Sequence, residues 1–114
     1  AITYADAATT LREFAAFGQL VLDDGRVGDR RLLASEWMQA MTTPTSQRAG
    51  YGMMWWLYEK PRIVAMEGYL NTSCWVFPEL EVVVVRVQST PYLHARENFD
   101  ARRMFEMMER AMRN

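Results

Sequence analysis

The chain has 114 residues, a formal net charge of −1, and hydrophobic side chains at half of its positions. So apolar a composition excludes a disordered tail, and the near-neutral charge argues against nucleic acid or an anionic membrane as partner. One cysteine and one histidine exclude a disulfide framework and a zinc site, and no apolar run approaches the roughly 18 residues of a membrane-spanning helix.

The length predicts a single domain over residues 1–114. The opening Ala1-Ile2-Thr3-Tyr4 has neither a basic nor an apolar leader region, so no secretory signal is expected. Nine Met, four Trp, five Tyr and five Phe are a heavy load for a core of this size. Some of that surface is expected to need a partner.

The first predicted element is a helix from Thr10 to Asp24. Thr10 and Glu13 have the spacing of a capping box, in which each side chain satisfies a backbone N–H at the helix start. Leu11, Phe14, Ala15, Gly18, Val21 and Leu22 fall on one helical face, which Phe17 and Leu20 widen. Gly18 costs about 1 kcal/mol against Ala inside a helix, and close approach of another backbone is the expected reason for it. Gly25 stops the helix, and a compact turn runs from Gly25 to Asp29. Ser35 is expected to cap a short helix carrying Trp37, Ala40 and Met41, stopped at Thr43-Pro44.

Tyr51 to Tyr58 reads as a strand with both faces apolar, Met53/Trp55/Leu57 and Met54/Trp56/Tyr58, and so covered on both faces. Glu59-Lys60-Pro61-Arg62 reads as a turn, Arg62–Met66 as a second strand and Thr72–Phe77 as a third. Pro78–Glu81 is a tight turn, and Val82–Gln88 is a fourth strand, β-branched but for Arg86 and Gln88. Short connections imply antiparallel pairing. A last helix is predicted from Asn98 to Arg113, with Ala101, Met104, Phe105, Met108, Ala111 and Met112 as its apolar face. The predicted class is α+β: an antiparallel sheet of three to four strands, with an N-terminal helix pair and a C-terminal helix packed on it.

The motifs, in this order, resemble those of the serine β-lactamase-related family, which takes in class C β-lactamases, penicillin-binding proteins and related esterases and amide hydrolases. Thr9-Thr10-Leu11-Arg12-Glu13-Phe14-Ala15-Ala16-Phe17-Gly18-Gln19-Leu20 resembles its "T-x-R-D-x-A-R-F-G-x-L". Leu33-Ala34-Ser35-Glu36-Trp37 resembles "L-S-P-E-W", and Thr42-Thr43-Pro44 resembles "T-x-P". Tyr51-Gly52-Met53-Met54-Trp55-Trp56 resembles "Y-G-Y-G-W-W", and Gly68-Tyr69-Leu70-Asn71-Thr72 resembles "G-Y-x-G-Q". Pro78-Glu79-Leu80-Glu81-Val82-Val83-Val84 resembles "P-E-x-x-L-V-V-V". The resemblance implies the C-terminal part of such an enzyme, nearest to the esterase and amide-hydrolase branch.

The family's nucleophile is the serine of S-x-x-K, activated by the lysine. Ser35, Ser46, Ser73 and Ser89 are followed at the third position by Met38, Ala49, Val76 and Tyr92, so no catalytic residue is assigned in this chain. Tyr69-Leu70-Asn71 has the form of the second motif, Y-x-N, but lies after the third-motif position and is rejected as a match. The third motif, K-T-G or H-x-G, falls at Met66-Glu67-Gly68, where only the glycine agrees. Met66 cannot supply the cation or imidazole, Glu67 would bring the wrong charge toward an oxyanion, and Asn71 replaces the second glycine. The candidate substrate-side strand is therefore a degenerate motif: Met66, Glu67, Gly68, Tyr69 and Asn71.

Elsewhere the chemistry is sparse. Cys74 reads as a small buried side chain, His94 as a surface or capping residue, and Lys60, the one lysine, as a turn residue. Glu67 reads as an exposed strand-end carboxylate or a partner for a ligand or an arginine. No metal and no cofactor are expected. The expected partner is a second copy of the chain or the missing N-terminal part of the parent protein, with Met53, Met54, Trp55 and Trp56 as the candidate interface.

Overall fold

A computed structural model describes residues 9–68, 72–87 and 100–114. The chain is α+β. Helix α1 spans Leu11–Leu22, a two-stranded hairpin pairs β1 (Arg26–Val27) with β2 (Arg30–Arg31), and helix α2 spans Ser35–Met41. Strands β3 (Trp56–Glu59), β4 (Arg62–Glu67), β5 (Ser73–Phe77) and β6 (Val82–Arg86) form an antiparallel meander in that order. Helix α3 spans Ala101–Arg113.

The capping box predicted for α1 is present. The Thr10 hydroxyl accepts from the Glu13 N–H at 3.1 Å, and the Glu13 carboxylate accepts from the Thr10 N–H at 2.8 Å and from the Thr9 hydroxyl at 2.9 Å. The backbone N–H of Thr10 and both threonine hydroxyls hold the Glu13 carboxyl below the usual carboxylate range. At α2 the expectation differs by one residue. Ala34 is the N-cap and, with only a methyl, offers no side-chain bond; Ser35 is the first helical residue, and its hydroxyl donates to Asp24 at 2.8 Å. The same carboxylate oxygen takes the Arg31 guanidinium at 3.2 Å. These two partners tie the end of α1 to the hairpin and to α2, and they lower the Asp24 pKa, with the serine bond the larger cause.

The residues read as a plain turn at Gly25–Asp29 instead open a small hairpin of charged strands. The predicted strand over Tyr51–Tyr58 also needs correction. Only Trp56–Glu59 is strand, and Tyr51 is held by an isolated bridge to Trp56. The Gly52 N–H donates to the Trp55 carbonyl at 2.8 Å, which folds residues 52–55 into a turn with Met54 in the left-handed region at φ 69°. The other strand ends fall within a residue or two of expectation. Asn98 and Phe99, placed in the last helix by sequence, lie outside the described residues, as do Gln88 of the predicted fourth strand and His94.

Strand alternation divides the core into two layers. Ile63, Ala65, Trp75 and Phe77 face α3 and meet Ala101 and Phe105, with Trp56, Tyr58, Val82, Val84, Met104 and Met108 packed around them. Val64, Cys74 and Val76 lie on the other face with Trp55, where Phe14, Val21, Leu22, Met41, Leu57, Met66, Val83 and Val85 surround them. The sheet is therefore covered by α1 on one face and α3 on the other. α1 comes close: a Cβ built on Gly18 would lie 2.6 Å from both Cys74 Sγ and Val83 Cγ1. Side chains of β5 and β6, rather than a backbone, are what require the glycine.

Candidate functional site

The end of β4 is where the resemblance would put a substrate-side strand, and alternation decides which way each residue points. Val64 and Met66 face α1; Ile63 and Ala65 face α3. Met66, opposite Cys74 in the register, is half-buried in the α1-side apolar layer. Its thioether carries no charge and exchanges no proton.

Glu67 follows the opposite parity. Its carboxylate accepts from the Tyr58 hydroxyl at 3.1 Å and from the Trp75 indole N–H at 3.0 Å. Both donors belong to the α3-side layer. Glu67 thus bridges β3 and β5 across β4, on the face away from Met66. Burial first, then the charge of Glu67 and the hydrogen bond to it, push the Tyr58 phenol up to about 12; Arg102 opposes them. Ser73, buried, pairs with Glu67 on one side and with Arg86 on the other.

Gly68 ends the strand, and its N–H donates to the Thr72 carbonyl at 2.8 Å. Tyr69 and Asn71, the remaining members of the predicted set, lie outside the described residues. Of the five, then, Met66, Glu67 and Gly68 are placed, and the first two point to opposite faces. Sequence reading missed Tyr58 and Trp75 as partners of Glu67. The signal for them is the pairing register, which sets all three on one face of three neighbouring strands.

The candidate interface also divides. Met53 and Met54 are 47% and 60% exposed, but Trp55 is only 1% exposed. It lies under Phe17, with the two rings stacked at 5.8 Å. Trp56 is half-buried: the Arg48 guanidinium sits 4.6 Å from its ring centre, and Tyr51 meets it edge-on at 4.9 Å. Trp55 and Trp56 are spent inside the chain, whereas Met53 and Met54 present apolar surface, as do Phe17 and Trp37.

Cys74 is fully buried, and burial pushes its thiol up to about 11. Burial and a raised pKa both disfavour the reactive thiolate. Among the described residues, no group of three or more His, Cys, Asp or Glu is placed to hold a metal ion. No described helix is long and apolar enough to cross a membrane.

No curated protein matches the chain. The family described as Beta-lactamase matches residues 3–108, a span that takes in α1, the whole four-stranded sheet and most of α3. With this match and the α+β architecture, the chain belongs to the β-lactamase family.

Proposed function

We propose that these 114 residues supply the sheet and the substrate-side strand of a β-lactamase-family acyl-transfer hydrolase of the esterase and amide-hydrolase branch, and do not catalyse by themselves. The observation that supports this reading most directly is the end of β4. Met66, at the position where the resemblance would put a cation or an imidazole, packs into the α1-side apolar layer, and Glu67 lies on the other face. No S-x-x-K occurs anywhere in the sequence. A nucleophile with its activating base, and a group to stabilise the oxyanion, are both needed for acyl transfer. The test is turnover of a chromogenic ester and a chromogenic β-lactam by the purified chain. The expected result is no rate above buffer. Turnover that disappears on replacing one serine, or in Glu67→Gln, would refute the proposal.

A second reading is supported by the exposure of Phe17, Trp37, Met53 and Met54. In this reading the chain is a non-catalytic module that self-associates or binds a partner through apolar surface. Light scattering across a concentration series should then show a dimer, and a clean monomer at high concentration would remove the self-association.

A further inference from the structure

We draw no further inference here: the strongest candidate, the outer edge of β6 with its half-buried valines, is a strand edge for which nothing in the structure shows what covers it.

Discussion

Replacing Gly18 with alanine tests the packing of α1 on the sheet. In an isolated helix the change gains about 1 kcal/mol. Here the added Cβ would stand 2.6 Å from Cys74 Sγ and from Val83 Cγ1, with Val76 Cγ2 at 3.6 Å. Ordinary carbon contacts lie near 3.5–4.0 Å, so roughly 1 Å must be found. Of the two clashing side chains, Cys74 is fully buried and Val83 half-buried. Overpacking of this kind costs about 1–3 kcal/mol, which exceeds the helical gain over most of its range. The net expectation is a loss of about 1 kcal/mol, read as a melting temperature lower by roughly 4–8 °C. Urea denaturation of Gly18→Ala, Val83→Ala and the double variant completes the cycle. Removing Cγ1 should relieve the alanine, giving a favourable coupling of at least about 0.5 kcal/mol. If Gly18→Ala alone raises stability and shows no coupling to Val83, α1 does not approach the sheet as described.

Two further predictions concern the turn before β3 and the clamp across the sheet. Met54 sits at positive φ, where a side chain costs about 1–2 kcal/mol, and glycine is free of that cost but gives up about 0.5–1 kcal/mol to unfolded-state flexibility. Met54→Gly should therefore be neutral or mildly stabilising in chemical denaturation, and Met54→Val clearly destabilising; the reverse order would mean that residue 54 is not left-handed. For Tyr58, the folded pKa of about 12 lies above the ordinary 10. Between those values the folded chain keeps a proton that the unfolded chain releases, so stability is full below pH 10 and falls as pH rises through 12. Cys74 adds a loss of the same sign between pH 9 and 11. Denaturation midpoints at pH 8 and pH 11 should fall less in Tyr58→Phe than in the parent; an equal fall would remove Tyr58 from the clamp.

Much of the fold is legible in the sequence because local chemistry and tertiary packing agree. Thr10 and Glu13 announce the start of α1, and the valine run of β6 packs into the core as predicted; the predicted apolar stripe of α3 packs on the sheet at Ala101, Met104, Phe105 and Met108, while Ala111 and Met112 are exposed. The failures arise where one specific hydrogen bond, near or distant in sequence, overrides what composition suggests. Tyr51–Tyr58 has the composition of a strand, yet one hydrogen bond from Gly52 to Trp55 closes a turn inside it. The family resemblance places a glycine at position 54, the residue that adopts positive φ. Ser35 has the identity of a cap, but Asp24, eleven residues away, takes its hydroxyl. At the end of β4, the direction of Met66 follows from parity with Val64. The destination of Glu67 depends on which residues of β3 and β5 stand beside it, and no local pattern specifies that.

The two helices that cover the sheet come from opposite ends of the described chain. The meander from β3 to β6 needs only short connections, so its pairings close at small entropic cost. α1 must instead reach Cys74, Val76 and Val83 from Gly18, across more than fifty residues of intervening sequence. Contacts of such separation slow folding, whatever they add to stability. The β3–β6 meander, whose pairings are local, is accordingly expected to form before α1 docks. The arrival of α1 buries Trp55 beneath Phe17.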